Sequence, residues 1–134
     1  MSEDKYLLDT SAILTLLEDE EGAERVEALL RESKVLLPFL VLLETYYITL
    51  QEQPEAVADQ RYAYLKQLPA TFLWSIDEPT LLTASRFKAR HHLSLADALI
   101  AAFAARHEAI LVHKDPEFEA LEGLVRQEVL PYKG

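Results

Sequence analysis

Short apolar runs alternate along this chain with longer stretches in which apolar residues return every three or four positions. Runs of four or five apolar residues bounded by polar or turn-forming neighbours are too short for stable helices and suit buried strands. Lys5 to Leu8, Lys34 to Leu37, Thr71 to Ser75 and Ala109 to Val112 read this way, and Glu128 to Leu130 adds an edge strand. Between them the period lengthens. Ser11 to Leu17 pairs Ala12 with Leu16 and Ile13 with Leu17, and Glu24 to Ser33 turns Val26, Leu29 and Leu30 to one side. A third helix runs from Phe39 to Gln51. A fourth has Pro54 in its first turn and ends near Leu68-Pro69. Asp77 caps a fifth, with Pro79 in its first turn, reaching about His91. Ser94 caps a sixth that reaches about His107. Apolar strands separated by helices predict an α/β domain whose parallel sheet is covered on both faces. Sites in such sheets form beyond the carboxyl ends of the strands.

Four acids break this pattern. Asp9 ends the run Tyr6-Leu7-Leu8, and Asp115 follows the run Ala109-Ile110-Leu111-Val112. Glu44 interrupts Val35 to Leu50, the most apolar stretch, and Asp97 lies among the alanines and aliphatics of Leu93 to Ala105. An ionised carboxylate is rarely buried without a partner, because desolvation costs several kcal/mol. Singly, three of the four have ordinary explanations. Asp9 is placed to cap the helix near Ser11. Ser94-Leu95-Ala96-Asp97 matches a capping box, and Asp115-Pro116 is an N-cap followed by proline. Glu44 has no cap to make. On a helix its neighbours are Leu40, Val41, Tyr47 and Ile48, where a tyrosine hydroxyl is the cheapest ordinary partner. One shared divalent cation accounts for all four, and oxygen donors suit Mg²⁺ or Mn²⁺.

Composition narrows the chemistry. The 134 residues fit one domain, 1–134, and half are apolar, so a core forms without staples. There is no cysteine, which excludes disulfides, thiolate zinc sites and cysteine nucleophiles and suits a reducing cytoplasm. No basic stretch followed by an apolar one opens the sequence, so no secretory signal is expected. The apolar stretch from Val35 to Leu50, about 16 residues and containing Pro38 and Glu44, falls short of a bilayer span. A net charge of −10 argues against a protein that coats nucleic acid. It leaves room for a nuclease, because bound metal offsets local acid. The run Glu18-Asp19-Glu20-Glu21 reads as a solvated helix end. The strongest basic patch, Arg86 to His92, holds Lys88, Arg90, His91 and His92. Adjacent histidines on a helix point about 100° apart and chelate poorly.

The residues flanking the acids carry a resemblance. Leu7-Leu8-Asp9-Thr10-Ser11-Ala12, Glu44 on its helix, Leu95-Ala96-Asp97-Ala98-Leu99-Ile100-Ala101-Ala102 and Leu111-Val112-His113-Lys114-Asp115-Pro116-Glu117-Phe118 resemble, in order, the motifs of PIN-domain ribonucleases, and among them the VapC-type toxins of toxin–antitoxin pairs. The resemblance spans nearly the whole chain. It implies a compact three-layer α/β/α domain with a central parallel sheet of about four to five short strands. It also implies RNA cleavage dependent on one or two Mg²⁺ or Mn²⁺ ions, held by Asp9, Glu44, Asp97 and Asp115. Thr10 or Ser11 would stand near the metal or phosphate, and Glu117 would reach the site through water or remain an exposed acid at a helix start. The chain departs from the family at His113, where serine or threonine is usual. Lys88, Arg90, His91, His92 and Lys114 are candidates to contact RNA phosphates, or solvated cations at a helix end. The expected partners are RNA, a cognate antitoxin and a second copy of the chain through the apolar third and fourth helices, with no membrane. The competing reading is a catalytically silent module of the same fold that binds RNA or protein. A phosphotransferase using an aspartate nucleophile would need a second acid where Ser11 stands.

Overall fold

The computed structural model describes residues 3–132, so the terminal residues of the expected 1–134 unit lie outside it. Five strands form one parallel sheet: β1 (Lys5–Leu8), β2 (Lys34–Pro38), β3 (Thr71–Leu73), β4 (Ile110–His113) and β5 (Gln127–Val129), in the order β3-β2-β1-β4-β5. Helices complete a three-layer α/β/α fold: α1 (Thr10–Leu17), α2 (Ala23–Glu32), α3 (Phe39–Glu52), α4 (Glu55–Lys66), α5 (Glu78–Arg90) and α6 (Leu95–Arg106), with a 3-10 helix at Pro116–Leu121. Among the described residues no helix is long and apolar enough to cross a membrane.

The strand order explains where a site can form. From β1 the chain moves outward through β2 to β3, then returns to the other side of β1 for β4 and β5. The connections on either side of the β1–β4 pair therefore diverge, leaving a crevice at the carboxyl ends of these strands. Leu8 pairs in register with Val112, and the Asp9 amide donates to the Val112 carbonyl at 3.2 Å, so the two strands end side by side.

The core is aliphatic and lies against the central strands. Leu7, Leu8, Leu36, Leu37, Leu111 and Val112 are all buried, as expected of strands covered on both faces. Helix α6 buries Ala98, Ile100, Ala101, Ala102, Phe103 and Ala104, so small side chains surround it and let α3 and α5 approach closely. Burial on all sides is why α6 shows little amphipathic contrast in sequence. Gly22, at φ +106, turns the chain into α2 in a left-handed conformation that a side chain would strain.

Boundaries shift modestly from the sequence expectation. Pro54 is the N-cap of α4 rather than a residue of its first turn. β3 stops at Leu73, leaving Trp74 and Ser75 outside it.

Candidate metal centre at the strand ends

Asp9 leaves β1 in extended conformation and begins α1. Its carboxylate accepts the Ala12 amide (Oδ1, 2.8 Å) and the Ser11 hydroxyl (2.7 and 2.9 Å to its two oxygens). It is 2 % exposed. The expected cap is therefore real, and it coexists with a position in the crevice. Burial raises the Asp9 carboxyl to about 8, against the hydrogen bonds from Ala12 and Ser11, with Asp97 and Asp115 adding like charge.

Asp97 sits in the first turn of α6. Ser94 caps that helix by accepting the Asp97 amide at 3.1 Å. The Asp97 carboxyl is raised to about 7, first by burial and then by the negative charges of Asp115, Glu44 and Glu117. Asp115 caps the 3-10 helix, accepting the Glu117 amide at 3.0 Å. That turn swings Glu117 back toward the crevice. One oxygen from each of Asp97, Asp115 and Glu117 lies within 4.8 Å of the others.

Glu117 meets both parts of its expectation, being exposed at a helix start and grouped with Asp97 and Asp115. Asp9 and Glu44 flank that group and act on Asp97 or receive its field, completing a convergence of five acids. Glu44 also finds a partner the sequence did not suggest. The Thr10 hydroxyl donates to it at 2.6 Å, where a tyrosine had been the ordinary candidate. Among the described residues no lysine, arginine or histidine forms an ion pair with any of the five.

The donor set fits a hard divalent cation. An octahedral ion with oxygens about 2.1 Å away places its ligands roughly 3 to 4 Å apart, and such ions retain several waters. The observed spacing therefore needs only a small inward movement or bridging water. Carboxyls left protonated near neutral pH are what a cluster of acids adopts when no cation compensates it.

The five basic candidates are placed unevenly. Lys114 turns away from the crevice. Its ammonium donates to the Glu21 carbonyl at 2.8 Å and faces Glu20 at 3.5 Å, and its side chain is 7 % exposed. Lys88 donates to the Leu93 carbonyl at 2.8 Å. Arg90 and His92 are exposed, and half-buried His91 packs edge-on to Phe87. His113 is fully buried and makes hydrogen bonds at both ring nitrogens, to Gln127 and to the Asp115 amide. Gln127 gave no signal in the sequence, since a glutamine on a short edge strand is ordinary.

The PIN domain family profile matches residues 6–124. The chain belongs to the PIN domain family. Three solved structures illustrate the likeness. VapBC2 from Rickettsia felis, bound to a DNA fragment from its promoter, superposes with a TM-score of 0.78 at 14 % identity, covering 95 % of this chain and 99 % of that one. VapBC-1 from nontypeable Haemophilus influenzae gives 0.73 at 21 % identity, covering 93 % and 97 %. Mycobacterium tuberculosis VapC20, described as a sarcin–ricin loop cleaving toxin, gives 0.72 at 17 % identity, covering 94 % and 99 %. At these identities the likeness speaks for the fold. No curated protein sequence matches the chain. The PIN assignment agrees with the resemblance carried by the sequence motifs, and the family's fold is the one observed here.

Proposed function

We propose that this protein is an endoribonuclease that hydrolyses RNA phosphodiester bonds with Mg²⁺ or Mn²⁺, acting in the cytoplasm as the toxin of a VapBC-like pair. The observation that carries this reading is the convergence of Asp9, Glu44, Asp97, Asp115 and Glu117 at the fold's crevice, none of them in an ion pair with a lysine, arginine or histidine among the described residues. A binding surface for RNA alone gains nothing from concentrated negative charge, which repels phosphate. A hydrolytic centre built on a divalent cation requires it.

Asp97, Asp115 and Glu117 would hold the cation directly or through water, with Asp9 and Glu44 completing the shell or supporting a second ion. When bound, the ion supplies a hydroxide nucleophile near neutral pH and offsets charge on the phosphate. The chain's own residues set the geometry. Ser11 orients the Asp9 carboxylate, and Thr10 fixes one oxygen of Glu44. Arg90 and His92, exposed at the turn before α6, are the better placed candidates for RNA phosphates. Lys88 and Lys114 already spend their ammonium groups on backbone carbonyls. The similarity to VapBC assemblies supports a cognate antitoxin as partner.

The test incubates purified protein with RNA, with single-stranded DNA and with a simple phosphate ester, in Mg²⁺, Mn²⁺ or EDTA. Cleavage is expected for RNA, only with metal. The metal's contribution of several kcal/mol, at about 1.4 kcal/mol per tenfold, implies that Asp9→Asn and Asp97→Asn each slow cleavage by on the order of a hundredfold or more. RNA binding without turnover returns the protein to the class of silent binding modules, and metal-dependent cleavage unchanged in both variants removes Asp9 and Asp97 from the mechanism.

A further inference from the structure

The position two residues before Asp115 holds His113, and its surroundings differ from an ordinary buried histidine. We propose that His113 and Gln127 form a positioning pair that fixes the backbone of Asp115 so that its carboxylate faces Asp97 and Glu117. This rests on the reading of Asp115 as a cation ligand.

Every proton in the arrangement can be placed. The Gln127 side-chain amide donates to the Phe118 carbonyl at 2.9 Å, which identifies its nitrogen and turns its oxygen toward His113. That oxygen lies 2.7 Å from His113 Nε2, so Nε2 must carry the proton. Nδ1 is then a bare acceptor, and the Asp115 amide donates to it at 3.0 Å. The ring is fully buried and packs on Phe118, its centroid 4.8 Å away. The His113 carbonyl accepts the Leu130 amide at 2.8 Å, so the histidine backbone is tied to the end of β5. With both nitrogens used, His113 is not itself a ligand.

The neighbouring amide is held as well. Lys114 N–H donates to Ser11 Oγ at 2.8 Å, and that hydroxyl donates to Asp9. Two successive amides leaving β4 are therefore each bound by a side chain, one from α1 and one from the β4 end itself. The loop that presents Asp115 is fixed where an exposed loop would sample several conformations. A smaller hydroxyl residue at position 113 could not reach Gln127, so the imidazole links β5 to the ligand loop. Outer hydrogen bonds that orient metal ligands are typically worth about 10- to 100-fold in metal affinity.

The experiment has two readouts that do not depend on cleavage. Long-range ¹H–¹⁵N spectra of the wild-type protein are expected to show Nδ1 of His113 unprotonated and Nε2 protonated. A proton on Nδ1 overturns the proposal. Calorimetric titration with Mn²⁺ then compares wild type with His113→Asn, His113→Gln and His113→Leu. Asparagine places an acceptor where Nδ1 was, whereas glutamine reaches toward Gln127 but offers none there. His113→Asn should stay within about threefold of wild type, and the Gln and Leu variants should bind at least about tenfold more weakly. Equal affinities for the Asn and Gln variants, or a Leu variant equal to wild type, would reduce His113 to a space-filler. A wild type that binds no Mn²⁺ overturns both this proposal and the metal centre. The expected ranking in a protein that cleaves no RNA upholds the pair and removes only the ribonuclease reading. Should the variants not fold, the wild-type spectra still decide the tautomer.

Discussion

Asp9 and Asp97 hold protons at a pH where an ordinary aspartate is fully ionised, and the sign of that shift has thermodynamic consequences. Their carboxyls titrate at about 8 and about 7 in the fold, from an ordinary value of 3.8. Folding favours their protonated forms. The stability they contribute is complete below about pH 4 and is lost as pH rises through 7 and 8. The metal-free protein should therefore melt lower at pH 8.5 than at pH 6. Asp97→Asn, which mimics the protonated state, should raise the melting temperature at pH 8 by on the order of several degrees while abolishing activity. A cation replaces these protons, so binding of Mn²⁺ at pH 6 should release protons and binding at pH 9 should release almost none. Titration in buffers of different ionisation enthalpy reads this directly. Proton release that does not change between pH 6 and pH 9 would mean that these carboxyls are not at the cation.

At the scale of elements, Asp9 belongs to a helix and to a site at once. Its bond to the Ala12 amide caps α1, and asparagine can make the same bond. Asp9→Asn should leave thermal stability within a degree or two of wild type, or higher at alkaline pH, whereas Asp9→Ala should lose about 1 kcal/mol of capping in addition. Circular dichroism melts of the two variants separate the cap from the charge. The same double duty explains what the sequence conveyed. The strand–helix alternation, the caps at Asp9, Asp77, Ser94 and Asp115, and the placing of Asp9 and Asp115 at neighbouring strand ends were legible because they depend on periodicity and short-range bonds. Thr10 bonding Glu44, and Gln127 bonding His113, join residues 34 and 14 positions apart and depend on tertiary geometry that no local pattern carries. The sequence left Glu117 between an exposed acid and a neighbour of the site, and the 3-10 turn after Asp115 lets it be both. One further residue of α3 carries a cost. The Thr45 hydroxyl is buried without a hydrogen-bond partner, so Thr45→Val should stabilise the fold by about 1 kcal/mol, read as a higher melting temperature with cleavage unchanged.

At the scale of the whole molecule, an exposed apolar row on a strongly acidic protein bears on assembly. The body carries −10, yet α3 exposes Leu43, Tyr47 and Leu50, at 53, 42 and 40 %. Spacings of four and three residues set these three on one stripe, on the side of α3 away from its buried Val41, Leu42, Thr45 and Thr49. Tyr46 is engaged elsewhere, packing edge-on to Tyr62 and donating to Asp59 of α4, so the stripe stays open to solvent. Isolated exposed leucines are common; three large apolar side chains in one row on a highly charged protein suit a covered face. We propose a second copy of the chain as the cover, since a two-fold axis lets one stripe meet its equivalent and complement itself. Glu44 shares this helix, one residue from Leu43, so dimerisation would also narrow the approach to the acidic crevice. Sedimentation equilibrium should find the wild type dimeric at micromolar concentration. Leu43→Glu should be monomeric, because it places like charges opposite each other across the axis, while its melting temperature changes little from loss of an exposed side chain. A wild type that stays monomeric at the highest attainable concentration, or a Leu43→Glu protein that stays dimeric, would move the interface off this stripe and leave it for the antitoxin.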